Sequence, residues 1–189
     1  ASVRRTLEAY EKTPSKASYR AFASAAEPAR QEMVRRLNRV PGATGALVRM
    51  RADLLRIGRG VPDLEALDLD FRHLFSSWFN RGFLVLRPIN WESPAHILEK
   101  IIAYEAVHAI DSWDDLRRRL EPTDRRCFAF FHPSMPDEPL IFVEVALNKG
   151  IPGSVQRLLA QDRKALPEAE ADTAVFYSIS NCQPGLASI

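Results

Sequence analysis

A serine set among prolines is the first residue whose surroundings suggest chemistry. Residues 132–140 read HPSMPDEPL, with Pro133 and Pro136 close to Ser134 and Pro139 ending the segment. Apolar runs flank it, CFAFF before and LIFVEVAL after, so the loop joins two expected strands. A simple reversal takes about two to five residues with Gly or Asn, and longer ordered loops are more often functional. The plainest reading remains a rigid surface turn. A hydroxyl is a poor acid and needs a partner to move its proton. His132, two residues earlier, falls on the same side if the backbone is extended, which leaves a relay open. A histidine in that position can equally serve by hydrogen-bonding the turn.

Two further stretches stand out. In YEAVHAI, Glu105 closes a helical pattern that is apolar on one side through Ile97 and Ile101. A carboxylate there adds nothing to a core and lies at the unfavourable end of the helix dipole. It is either an exposed acid paired with Lys100 or an arginine, or a group with a task. In SISNCQPGLASI a strand pattern runs into a Pro-Gly turn. Amide groups after a strand can hold an anion, and Gly185 would permit close approach, although such turns are commonplace.

The elements that position these residues can be read from punctuation and period. The first part of the chain is helical: 3–12 closes at Thr13-Pro14, a second helix runs from Ser15 to before Pro28, and a third opens with Pro28 and stops at Pro41-Gly42. ATGALVRMRADLLRI is a fourth. Met33, Leu37 and Val40, then Leu47, Met50, Leu54 and Ile57, fall at helical spacing and read as packing stripes. A further amphipathic helix, LDLDFRHLFSSWFN, precedes the first strand, RGFLVLRPINW, which Pro88 ends. Helices follow from Ser93-Pro94 and from Asp111 or Ser112. CFAFF, LIFVEVALNKG and TAVFYSIS are strands, with a short helix PGSVQRLLAQD between the last two. The expected class is α+β, with an all-helical domain over residues 1–62 and a mixed-sheet domain over 63–189.

Composition excludes several classes. The 189 residues are 46% apolar and 26% charged with a net charge of +2, ordinary for a globular protein and far from the one-sided charge of most nucleic-acid binders. The arginines on the helices alternate with acids and lack an aromatic stacking platform, so no nucleic-acid partner is expected. Cys127 and Cys182 are the only cysteines, which excludes a disulfide framework and a cysteine zinc site and leans towards a reducing compartment. No apolar run is long enough to span a bilayer, and no secretory signal is legible after the first arginines. No membrane association and no metal are expected. Both ends read as interrupted: the chain starts inside a helical pattern and stops just after a strand.

SSWFNRGFLVLRPINWESP, YEAVHAIDSWDDLRRRL, FFHPSMPDEPLIFVEVAL and TAVFYSISNCQPGL together resemble malonyl-CoA decarboxylases, from about Glu27 onward. The resemblance implies a helical domain followed by the first half of a catalytic domain of the GNAT acetyltransferase fold. It also implies that the substrate is malonyl-CoA, that the products are acetyl-CoA and CO2, and that coenzyme A is no separate cofactor. In that family the serine of H-x-S-x-P-x-E-P-L contacts the malonyl group and takes part in proton transfer; His132, Ser134, Pro136, Glu138 and Pro139 reproduce the spacing. The partner histidine lies further along the family's catalytic domain and has no counterpart before Ile189. The resemblance makes Glu105, like Ser134, a catalytic-site residue, placed near that histidine, and it makes Tyr104, Glu105, Ala106, Val107 and His108 line the malonyl group together with His132 and Ser134. It places coenzyme A against Ile179, Ser180, Gln183, Gly185 and Leu186. Homo-oligomers are common in the family, and a cytoplasmic location is the expectation here. Two other classes stay open: a GNAT acyltransferase using acetyl-CoA, and a helical interaction module without catalysis.

Overall fold

Proline, serine and glycine set the helix boundaries in the first half of the chain. The computed structural model describes residues 2–189. Helices α1 (Ser2–Lys12) and α2 (Lys16–Ala26) form a hairpin, with Ser15 and Ser18 exchanging hydrogen bonds as a capping box at the start of α2. Helix α3 (Ala29–Leu37) follows Pro28, α4 (Ala43–Ile57) follows Gly42 at φ 76°, and α5 (Pro62–Trp78) opens on its own proline. Val34, Leu47, Val48, Leu54, Phe71, Leu74, Phe75 and Phe79 form one core among α3, α4 and α5.

The helical layer therefore continues through Trp78, past the division expected at 62/63, because Phe71, Leu74 and Phe75 of α5 fill the same core as α3 and α4. The stripe reading needs correction. Met33, Leu37, Val40, Met50 and Ile57 are exposed, and the buried positions are Val34, Leu47, Val48 and Leu54. On the nine-residue α3, Val34 is the only residue that turns inwards.

The sheet is an antiparallel meander in the order β1-β2-β3-β4. Its strands are β1 (Val85–Ile89), β2 (Arg125–Phe131), β3 (Ile141–Asn148) and β4 (Thr173–Asn181). Pro88 lies within β1 rather than ending it, which an edge strand tolerates. Helices α6 (Ala95–Tyr104) and α7 (Trp113–Leu120) cover one face, and Ile97, Leu98, Ile101, Leu116 and Leu120 pack there on Ile89, Ala129, Phe131 and Phe142. Ser112 caps α7, its hydroxyl accepting from the Asp115 amide at 3.1 Å. A short helix α8 (Val155–Leu159) lies in the β3–β4 connection. The opposite sheet face is apolar as well and carries Leu86, Phe176 and Ile179 exposed. Among the described residues, β4 has no partner strand on its outer edge.

β4 is irregular in one decisive place. Glu144 pairs with Ser178 but Val145 pairs with Phe176, so Tyr177 is an extra residue on β4. Strand alternation puts Ser178, Ser180 and Cys182 on the helix-covered face, and the bulge turns Tyr177 to that side too. The two halves meet through Arg51 of α4, almost wholly buried, whose Nε donates to Asp68 at 2.7 Å and whose Nη1 donates to the Gly185 carbonyl at 2.7 Å.

Candidate functional site

Glu105 is the C-cap of α6 and is buried, so it is not the exposed acid of the plainer reading. Lys100 pairs with Glu138 instead, at 2.9 Å. The chain leaves the helix at Glu105, and its carboxylate folds back onto the turn that follows. Oε1 accepts from the Val107 amide at 2.9 Å and the His108 amide at 2.7 Å. From the other side, Ser178 Oγ lies 2.8 Å from both carboxylate oxygens and Ser180 Oγ donates to Oε2 at 3.3 Å. A carboxylate is an acceptor only, and here every approach is made by a donor. The result is a fixed turn, with Ala106 and Val107 exposed and the His108 ring half-buried, 6.3 Å from the Tyr177 ring.

A second buried carboxylate stands beside the first. Glu144 of β3 is fully buried and faces Arg119 of α7, with Oε2 3.4 Å from Nη1. Burial pushes the Glu144 carboxyl up to about 7; Arg119 opposes the rise and the nearby Glu105 adds to it. Burial alone would weaken the charged form of Arg119, but Glu144 and Asp115 outweigh it and raise its pKa. Glu144 Oε1, Arg119 Nε and the Tyr177 hydroxyl, all buried, have no hydrogen-bond partner among the described residues.

The HPSMPDEPL loop is held from several elements. His132 Nε2 donates to the Trp78 carbonyl at 3.0 Å, Arg87 Nη2 to the Pro136 carbonyl at 2.7 Å, Lys100 Nζ to the Asp137 carbonyl at 2.7 Å, and Gln183 Nε2 to the Pro139 carbonyl at 3.0 Å. Inside the loop, the Met135 amide bonds the His132 carbonyl at 2.8 Å, and Met135 is buried against the helical layer. Ser134 is exposed, and its Oγ has no hydrogen-bond partner among the described residues.

His132 is settled by its two contacts. Nδ1 accepts from the Ser134 amide at 3.1 Å, so the proton is on Nε2, which donates to Trp78. Both nitrogens are committed to protein. The relay left open above has no free acceptor on this ring, and His132 holds the loop through both contacts. His73 and His96 are exposed on their helices, as expected.

The expected coenzyme A residues fall into separate environments. Ile179 is exposed on the outer sheet face. Ser180 is buried and belongs to the Glu105 cradle. Gln183 Nε2 reaches the Pro139 carbonyl and lies near Tyr104, whose phenol is raised by burial and by Glu138. Gly185 does permit a close approach, but to the helical layer: a Cβ there would run into the Val48 carbonyl. Leu186 packs into that same helical core. The structure thus joins Glu105 with His108, Ser178 and Ser180, and Tyr104 with Gln183. No hydrogen bond among the described residues links Ser134 Oγ to either group.

Sequence reasoning missed Ser178, Arg119 and Glu144. Glu144 was visible as a lone carboxylate within the apolar run LIFVEVAL. Ser178 and Ser180, two apart in a strand, were visible as a polar pair on one face. Arg119 could be picked out of the triplet only as the i+4 neighbour of Asp115. Among the described residues no group of His, Cys, Asp and Glu side chains converges as a metal site, and no helix is long and apolar enough to cross a membrane.

Comparison with known proteins covers the whole chain. The family model described as "Malonyl-CoA decarboxylase N-terminal domain" matches residues 1–79, and that described as "Malonyl-CoA decarboxylase C-terminal domain" matches 82–189. The two meet next to the boundary that the helical core shows. The crystal structure of malonyl-CoA decarboxylase from Rhodopseudomonas palustris superposes with a TM-score of 0.92 at 55% identity, covering 100% of this chain and 46% of that one. That from Agrobacterium vitis gives 0.92 at 56% identity, covering 99% and 45%. The goose protein (Anser anser anser) named "Malonyl-CoA decarboxylase, mitochondrial" is 37% identical over 169 residues, 86% of this chain and 33% of that protein. The chain thus spans about a third of such curated relatives and somewhat under half of the solved chains.

Proposed function

The chain belongs to the malonyl-CoA decarboxylase family, and from that premise we propose that the protein converts malonyl-CoA to acetyl-CoA and CO2. The observation that carries the reading is the match of the C-terminal-domain model over 82–189, a stretch that contains every candidate site residue. The bond between the α-carbon and the carboxylate breaks, CO2 leaves, and the electron pair becomes a thioester enolate. A proton then adds to the α-carbon. Donors placed where the enolate oxygen forms, and an acid at the carbon, lower the barrier.

Ser134 is the proposed proton-transfer group. Its exposed hydroxyl, without a hydrogen-bond partner among the described residues, on a loop held by His132, Arg87, Lys100 and Gln183, supports this role, because a group fixed before the substrate arrives needs no further ordering. Its proton must be relayed by a group other than His132. Glu105 is the proposed organiser of the turn Ala106–His108, which lines the malonyl group with Tyr104. Coenzyme A enters only as part of the substrate, beside β4 and the loop after it. The antiparallel meander with a bulged β4 supports the GNAT-like reading. The exposed apolar residues Met33, Leu37, Val40 and Met50 support a homo-oligomer. A cytoplasmic location belongs to the same proposal, and cell fractionation tests it against relatives whose names place them in mitochondria.

The site assignment is tested in the full-length polypeptide carrying this sequence. Ser134→Ala lowers kcat for malonyl-CoA by on the order of 10² or more while coenzyme A affinity changes little. Near-normal kcat would leave HPSMPDEPL as a stiff turn and remove Ser134 from the mechanism.

A further inference from the structure

His108 is gripped from two directions. Its amide donates to Glu105 at 2.7 Å, and its carbonyl accepts from Arg119 Nη1 at 2.7 Å. The next carbonyl, of Ala109, accepts from Arg119 Nη2 at 2.8 Å. One guanidinium therefore holds two consecutive peptide oxygens. That guanidinium is 5% exposed and is itself fixed, by Asp115 at 3.0 Å and by Glu144 at 3.4 Å. Glu144 sits in mid-sheet and Asp115 in the first turn of α7, so the strand and the helix both set the position of the arginine.

We propose that Arg119 is a positioning residue for decarboxylation: its fork sets the path of the turn Val107–Ala109, and through it the placement of the His108 imidazole and of the amides beside the Glu105 carboxylate. The inference rests on the function proposed above and deepens it. A fork is what the geometry demands. Two carbonyls and two carboxylates surround a single side chain, and only a planar guanidinium presents enough fixed donors to serve them. An ammonium would keep the charge and drop part of the set. Arg119 is itself buried, so its effect on catalysis passes through the turn whose carbonyls it holds. A displacement of about 1 Å in a positioning segment can lower a rate by on the order of 10²-fold.

The test uses the full-length polypeptide and three proteins: the parent, Arg119→Lys and Glu144→Gln. Decarboxylation of malonyl-CoA, binding of free coenzyme A and the stoichiometry of that binding are measured on each. Arg119→Lys is expected to lose on the order of 10-fold or more in kcat, with coenzyme A affinity and stoichiometry unchanged, because the malonyl-facing turn shifts and the fold does not. Glu144→Gln, which retains a neutral acceptor beside the guanidinium but gives up one of the two charges that fix it, is expected to lower kcat in the same direction and by less than Arg119→Lys. Equal loss of turnover and of coenzyme A stoichiometry in Arg119→Lys would mean simple unfolding and would overturn the inference. So would kcat within about threefold of the parent. If the parent itself does not decarboxylate malonyl-CoA, the functional reading fails first and the inference falls with it.

Discussion

Replacing Glu105 by alanine removes the acceptor for four donors at once: the amides of Val107 and His108 and the hydroxyls of Ser178 and Ser180. A buried donor left without a partner costs about 1–3 kcal/mol. The two hydroxyls are close enough in register to rotate towards other acceptors, and water reaches the exposed turn at Val107, so the lower end of that range applies to most of them. The expected loss is about 3–4 kcal/mol of unfolding free energy. Glutamine keeps one carbonyl oxygen for the two amides and offers an NH2 to serine oxygens that can reverse their hydroxyls. What is lost is the charge assistance of the four hydrogen bonds and not the bonds themselves, so Glu105→Gln costs about 1–2 kcal/mol. Urea unfolding at constant pH gives both differences, and hydrogen exchange at the amides of 107 and 108 locates them. Protection at both amides is expected in the parent and the glutamine variant and is lost in the alanine variant. An alanine variant within about 1 kcal/mol of the parent, or amides 107 and 108 unprotected in the parent, would show that the carboxylate does not organise the turn.

The remaining predictions concern the same cluster and the domain junction. The folded Glu144 carboxyl titrates near 7, above its ordinary 4.5, so between those values the folded state holds a proton that the unfolded chain releases. Stability therefore falls as pH rises from about 4.5 to about 7 and stays lower above it, by an amount on the order of 3 kcal/mol for this group. Arg119 and Asp115 from α7, Glu105 from the end of α6, Cys127 and Arg125 from β2 and Tyr177 from β4 face or neighbour it, so the measurement is the difference between the parent and Glu144→Gln curves. That difference should grow across this window, and parallel curves would remove Glu144 as its source. Gly185→Ala places a Cβ against the Val48 carbonyl and should destabilise the junction by about 1–3 kcal/mol. An unchanged melting temperature would mean that the loop has room the structure does not show.

Local signals carried much of the architecture. Thr13-Pro14, Ser15, Pro28 and Pro41-Gly42 each mark a helix boundary by a rule that acts within one turn of chain, whereas α5 starts at Pro62, inside the stretch expected as a turn; the four strands follow from β-branched and aromatic runs. Glu105 was conspicuous because a carboxylate at a helix C-terminus opposes the dipole. Its partners were hidden, since Ser178 and Ser180 lie far along the chain and their joint presentation with Tyr177 depends on a bulge at Tyr177 that no residue type announces. Met33, Leu37 and Val40 have the spacing of a core face, yet Val34 is the buried residue. Periodicity gives the angle between positions but not which side a partner occupies. His132 shows the same limit: spacing allowed a relay to Ser134, and only the Trp78 carbonyl, 54 residues away in sequence, decides how its proton is placed.

The central claim is that the protein decarboxylates malonyl-CoA through an enolate protonated at the α-carbon. The direct measurement incubates the full-length polypeptide with malonyl-CoA labelled with carbon-13 in the free carboxylate, in deuterated water, and follows the gas and the thioester by mass spectrometry. The account predicts labelled CO2 in step with the appearance of acetyl-CoA that carries deuterium in its methyl group, without any amine acceptor. Unlabelled gas, or acetyl-CoA consumed only when an amine is added, would contradict it.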